Sequence, residues 1–367
     1  MSESPHPPLR AIPPGITRAA DYEALAPRFI AAPTLAYLAG GSGDDRTLRW
    51  NREAFARWRF RPRALAPLDD CDTATALPGR RQSHPLLLAP VAYQGLVHPA
   101  AEVDTARGAA AADTLMIVSS LATRPLEDVV AAAGAGCWYQ LTFGATRDDT
   151  LRRLRRAENA GCEALVVTVD AAAQLPSQRA LRAGFRLPAG LAAETPPPVA
   201  QASSVVERYR HAAVTRDDLL WLLDVAGVPV VVKGILHEDD AGLCRELGVA
   251  GIVVSNHGGR SVDGVAASLD VLPKLRSAAG SGCCVLFDGG IRAGEDVLKA
   301  IAAGADAVLL GRLQVYALAV AGALGVAHML RTVRQELELY MAITGCASLE
   351  AARAPGFLAP HPGGPRC

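Results

Sequence analysis

The chain is poor in lysine, in aromatic side chains and in net charge. Only Lys233, Lys274 and Lys299 are lysines among 37 basic residues, aromatics make up 5%, and 37 acidic residues cancel the basic ones. A balanced surface lacks the basic stripe that a phosphate backbone requires, so no nucleic-acid partner is expected. No C-x-x-C spacing occurs among the eight cysteines (71, 137, 162, 244, 283, 284, 346 and 367). Most lie in apolar runs, so they read as reduced and buried. Histidines and carboxylates show neither H-x-H nor H-E-x-x-H spacing, and no metal site is expected. The most membrane-like stretch, Leu313 to Leu330, is interrupted by Gln314, Tyr316 and His328 and is rich in alanine and glycine. It reads as a packed helix, not a span. The opening MSESPHPPLRAIPPG has no basic segment followed by an apolar one, and the expectation is a cytoplasmic soluble protein.

What is present is a repeat of short apolar runs. They begin at Leu86, Met116, Cys137, Ala164, Pro229, Gly251, Cys283 and Ala307, eight in all. Their hydrophobicity is continuous, as strands buried on both faces require, and Ala- and Leu-rich helical segments separate most of them. Eight strand–helix units predict an α/β fold, a (β/α)8 TIM barrel. An open doubly wound sheet is the competing architecture, but no G-x-G-x-x-G follows the first strand. The predicted organisation is a flexible N-terminus over 1–20, one barrel domain over 21–353 opened by a helical cap segment, and a flexible tail over 354–367. The stretch after the fourth strand, 171–214, exceeds what one helix and two loops need; it includes Pro196 to Pro198 and reads as a lid or mobile loop.

In such a barrel the reactive groups sit at the C-terminal strand ends. The second run ends in Ser119 and Ser120, the third in Gln140, the fourth in Thr168 and Asp170, and the fifth in Lys233. The sixth ends in Ser255, Asn256 and His257 followed by Gly258, Gly259 and Arg260; the seventh in Asp288, Gly289, Gly290 and Arg292; and the eighth in Gly311 and Arg312. Glycines and arginines after the last two strands match a phosphate site, with tight βα turns as the plainer reading. Lys233 places a compact charge where a guanidinium would not fit, or else snorkels at the mouth. His257 is a candidate general base and Asp170 its orienting partner, although Asp170 could equally cap a helix.

Five stretches then carry a resemblance: APVAYQGLVHP from Ala89, VVKGI from Val231, SNHGGRSVD from Ser255, DGGIRAGEDVLKAIAAGADAVLLGR from Asp288, and ELELYMAITGC from Glu336. Over residues 20–350 the chain resembles the FMN-dependent α-hydroxy-acid oxidase and dehydrogenase family. The resemblance implies FMN as cofactor, a small-molecule substrate and a homotetramer. It implies that Pro90, Val91, Ala92, Ser119, Gln140 and Thr168 line the flavin ring and that Lys233 faces its pyrimidine edge. Ser255, Asp288, Gly289, Gly290, Arg292, Gly311 and Arg312 would complete the cofactor site. His257 would be the base, Asp170 its partner, Arg260 the carboxylate clamp and Tyr37 a substrate hydrogen-bonding group.

Three positions depart from the family pattern. Leu121 stands where tryptophan is common, Thr142 where a tyrosine is common, and Ser177 where an arginine usually makes a second carboxylate contact; Arg179 is the nearby replacement. All three are smaller than what they replace, so the expected substrate is a bulkier or unusual 2-hydroxy acid rather than glycolate, oxidised to the 2-oxo acid. Two alternatives stay open: a diverged FMN barrel acting on an amine or another biosynthetic substrate, and a flavin-binding protein without turnover.

Overall fold

A computed structural model describes residues 5–68, 71–134, 136–191, 193 and 204–361. Its centre is a closed barrel of eight parallel strands. These are β1 Leu86–Leu88, β2 Leu115–Ser119, β3 Trp138–Leu141, β4 Ala164–Thr168, β5 Val230–Ile235, β6 Gly251–Val254, β7 Cys284–Asp288 and β8 Ala307–Leu310. Each lies within one residue of where its apolar run begins, and neighbours in sequence are neighbours in the barrel, with β8 pairing β1 to close it. The (β/α)8 architecture predicted from the repeat is therefore the observed one.

Alternation along each strand sorts its side chains into two layers. Leu87, Ile117, Trp138, Val166, Val231, Val253, Leu286 and Leu309 point inward and pack into one cluster. Leu86, Leu88, Val118, Leu165, Val232, Val254, Phe287 and Leu310 point outward and join the larger core beneath the helices. Both faces are buried, which is why the runs are apolar throughout.

The end at which the strands begin is stopped by a hairpin, Thr75–Leu77 with Arg80–Gln82, whose Leu77 enters the inner cluster. A plug of this kind leaves no periodic signal in the sequence. Helices Ala32–Ala39 and Arg46–Ala56 lie at the other end, as the cap segment predicts. Helix Arg312–Thr344 has the length and apolar composition of a span, but its apolar window is 83% buried within the protein. It bends at Ala321 and Gly322 and packs against Ala101–Ala110, where a Cβ on Gly108 would lie 2.6 Å from the Ala323 carbonyl oxygen.

Three expectations need correction. Residues 5–20 are tied down: His6 N–H donates to the Arg28 carbonyl and Leu9 N–H to that of Val320, while Ile16 and Ala19 are buried. The tail forms structure as far as a strand, Leu358–Pro360, antiparallel to Trp58–Phe60. Proline rules out a central strand but not the end of an edge strand, and Pro360 stands at such an end. Among the described cysteines Cys71 is exposed and Cys284 half-buried; the others are buried and all are free thiols. The long segment after β4 forms helices Gln178–Arg182 and Val205–Ala212; Pro196 to Pro198 lie outside the described residues.

Candidate active site

The alternation that fills the barrel with aliphatic side chains also fills its mouth with polar ones. Two residues beyond the inward Ile117, Trp138, Val166, Val231, Val253 and Leu286 stand Ser119, Gln140, Thr168, Lys233, Ser255 and Asp288. They share the inward phase and form a polar ring at the C-terminal ends. Gln140 Oε1 accepts from the Ser119 hydroxyl at 3.3 Å and from Ser120 N–H at 3.2 Å. Across the ring Lys233 Nζ lies 2.9 Å from Ser255 Oγ and 3.0 Å from Asp288 Oδ2, and the Ser255 hydroxyl donates to Asp288 Oδ1 at 2.6 Å. Lys233 is buried; burial pushes its ammonium toward neutrality, but the charges of Asp288 and Asp170 overcome that and raise its pKa. It remains a cation.

The loop after β6 presents the histidine. His257, Gly258 and Gly259 are all left-handed, with φ of 58°, 61° and 75°. Two glycines tolerate this without cost, whereas at His257 the conformation stores strain on the order of 1–3 kcal/mol. Asn256 sustains it. Its side chain accepts from Gly259 N–H at 3.0 Å and exchanges two 2.8 Å hydrogen bonds with Asn51 on the cap helix. The outcome is His257 Nδ1 held 3.0 Å from Asp170 Oδ1, with the Ser261 hydroxyl 3.3 Å from the other carboxylate oxygen. Burial would raise the Asp170 pKa, but the imidazolium of His257 and the charge of Lys233 hold it below the ordinary 3.8. Asp170 is thus an orienting anion, not a helix cap.

Arg260 uses one nitrogen, Nη1, to reach the carbonyls of Tyr37 (2.8 Å) and Gly40 (2.9 Å), which leaves Nε and Nη2 to bind a carboxylate. Its guanidinium lies 4.8 Å from the centre of the Tyr37 ring.

At the phosphate end, Gly311 caps the N-terminus of helix Arg312–Thr344, and Gly289 and Gly290 are both left-handed. Arg312 donates to the carbonyls of Leu38, Gly258 and Gly40. Burial, with the charges of Arg260 and Arg292 beside it, brings the Arg312 pKa down to about 10. Arg292 is held by Glu23, at 2.6 Å and 3.2 Å, and that pairing keeps the Glu23 carboxyl below its usual value despite burial. Three guanidiniums thus converge, with the carboxylates of Glu23 and, beside Arg292, Asp296 against them. A helix N-terminus beside this excess of positive charge suits a phosphate dianion.

Residues 26–356 match the family described as FMN-dependent dehydrogenase. The chain belongs to that family. It is 50% identical over 351 residues to an L-lactate oxidase of Alicycliphilus denitrificans, covering 93% of this chain and 96% of that one. It is 40% identical over 343 residues to a 4-hydroxymandelate oxidase of Amycolatopsis orientalis, covering 91% and 96%. A solved mandelate oxidase superposes with a TM-score of 0.86 at 39% identity, covering 94% of this chain and 98% of that one. FMN is the cofactor of the family, and the site fits it: a polar ring with a buried cation, then glycines and guanidiniums for the phosphate.

The wall residues of this FMN-dependent dehydrogenase fall differently. Pro90, Val91 and Ala92 follow β1 at the mouth, half-buried. Leu121 accepts from Tyr93 N–H, so the β1 and β2 loops are joined there. Thr142 Oγ1 faces the Ser120 hydroxyl at 2.6 Å and Gln140 at 3.2 Å, inside the polar ring. Ser177 caps helix Gln178–Arg182. Arg179 pairs with Asp45 at 2.6 Å, with its side chain 49% exposed. Sequence reasoning passed over Asn51, Glu23, Gly234 and Phe185. Only Asn51 left a signal, as an amide in the buried phase of helix Arg46–Ala56 with Thr47, Ala54 and Phe55.

Proposed function

We propose that this enzyme oxidises an L-2-hydroxy acid carrying a side chain at C2, of lactate to mandelate size, to the 2-oxo acid. The observation that carries the reading is the His257–Asp170 pair opposite the free edge of Arg260 at the mouth of an FMN-type barrel. The L-lactate oxidase and hydroxymandelate oxidase relatives support the substrate class, and the small Leu121, Thr142 and Ser177 support a substrate larger than glycolate.

A proton on His257 Nδ1, donated to Asp170, leaves Nε2 free to accept the proton released on oxidation, and Asp170 stabilises the imidazolium that results. Arg260 binds the substrate carboxylate through Nε and Nη2. Tyr37, the ring under Arg260, supplies a hydroxyl for a substrate oxygen. Lys233 holds positive charge where negative charge develops, and Ser119, Gln140, Thr168, Ser255 and Asp288 would hold the flavin ring and its ribityl chain. Bound FMN supplies the two-electron acceptor. Pro90 to Ala92 would close one side of the ring, while Gly289, Gly290, Arg292, Gly311 and Arg312 would hold the phosphate. A homotetramer is proposed alongside, on the family resemblance.

Anaerobic mixing with glycolate, L-lactate and L-mandelate tests the reading. Faster flavin bleaching with lactate or mandelate than with glycolate is expected. Equal rates for all three would remove the size argument, and no bleaching with any 2-hydroxy acid would overturn the function.

A further inference from the structure

We propose that Phe185, delivered by the segment after β4, is a positioning residue that fixes Tyr37 and Arg260 in their carboxylate-binding arrangement. The inference rests on the functional reading above.

The geometry begins with how the segment is anchored. Ser177 pairs with Gly43 in an isolated bridge, and Gly43 N–H donates to the Pro176 carbonyl at 3.2 Å. The Ser177 side chain caps helix Gln178–Arg182, and Arg179 grips Asp45. Asp45 in turn accepts from Gly41 N–H at 2.6 Å. The helix is thus bound to the loop that follows Tyr37.

Its C-terminus then turns back. Gly184 is left-handed, with φ 67°. Gly184 N–H donates to the Leu181 carbonyl and Phe185 N–H to that of Ala180 at 3.0 Å, a closure that reverses the chain at the helix end. The reversal lays the Phe185 ring on Tyr37 with centroids 4.3 Å apart and planes 8° from parallel.

Tyr37 is therefore held by two partners, Phe185 by stacking and Arg260 by its guanidinium at 4.8 Å. Arg260 takes both of its backbone anchors, the carbonyls of Tyr37 and Gly40, from the same turn. A residue that fixes the Tyr37 ring therefore fixes the turn that aims Arg260. Phe185 reaches none of the groups that move protons, so it acts on substrate capture through Tyr37 and Arg260.

The test uses the FMN-loaded enzyme and the variants Phe185→Ala, Phe185→Leu and Phe185→Tyr. KM for the best 2-hydroxy acid should rise at least 10-fold in Phe185→Ala and Phe185→Leu, with kcat within 3-fold of wild type, and Phe185→Tyr should restore KM. Leucine keeps apolar bulk without a ring, so it carries the test if alanine unfolds the segment. Trypsin should cleave after Arg182 or Arg186 at least 5-fold faster in Phe185→Leu than in wild type, and Leu187→Ala, in the same segment without a stack, should leave that rate unchanged. Unchanged KM and cleavage rates in the leucine variant would overturn the proposal. So would equal losses of kcat, KM and thermal midpoint that tyrosine does not restore. If wild type oxidises no 2-hydroxy acid, the functional reading fails, while the cleavage comparison still decides whether Phe185 holds the segment.

Discussion

At the scale of single residues, the site works by setting charges against one another in a buried space. Asp170 illustrates it: burial raises its pKa, and the charges of His257 and Lys233 with the hydrogen bonds from His257 and Ser261 bring it below the ordinary value. Because its folded pKa is depressed, the stability it contributes is fully present above the unfolded value of 3.8 and is lost as pH falls through the lower folded value. Asp170→Asn keeps the shape and removes the charge. The rate of flavin reduction by substrate at pH 7 is expected to fall by roughly 10²-fold or more, the lower end of what a positioned general base contributes. Acid titration of stability should show a smaller loss below pH 4 in the variant than in wild type; a steeper loss would contradict the sign argued here. His257 and Asp170 were legible in the sequence because both stand just past strand ends. The pairing of Arg179 with Asp45 was not, since position along a chain says nothing about which carboxylate a side chain meets.

At the scale of elements, strand ends and the turns after them place Asp170, Lys233, His257 and Arg260, while the cap helices supply Tyr37 and Asn51. Gly234, the fifth residue of β5, has φ of 109°, and a Cβ there would lie 2.5 Å from Asp170 Cγ. Gly234→Ala therefore forces strain and displaces the orienting carboxylate together. A loss of about 1–3 kcal/mol in stability is expected from the backbone conformation, with a fall in kcat of at least 10-fold. Urea midpoints and stopped-flow reduction measure the two effects; a variant as stable and as fast as wild type would show that Asp170 has room to move. The stretch VVKGI gave a strand and a lysine, but the need for glycine became visible only when β4 and β5 lay side by side. Helix Arg46–Ala56 teaches the same point from its other face, where Asn51 braces the histidine loop from 205 residues away in sequence.

At the scale of the whole molecule, a charge imbalance spans the junction of cap and barrel. Arg260, Arg292 and Arg312 meet near the start of helix Arg312–Thr344, with Glu23 and Asp296 as the charges set against them. Binding an anion there should stabilise the folded state by mass action, by about 2.7 kcal/mol at a hundredfold excess over Kd. Thermal unfolding of deflavinated protein with FMN, and with riboflavin at equal concentration, measures this. FMN is expected to raise the midpoint well above riboflavin, which lacks the phosphate, and equal shifts would show that the guanidiniums do not serve it. The sequence by itself determined the barrel, its strand count and the polar strand ends, because burial on both faces and a period of two are local constraints written into consecutive residues; the cofactor class rested on the resemblance of five stretches to a family. Tertiary structure alone decided which side chains pair across the mouth, how the hairpin plug and the tail strand close the body, and where Phe185 and Arg179 come to rest. Those contacts depend on distances between elements far apart in the chain, which local periodicity does not encode.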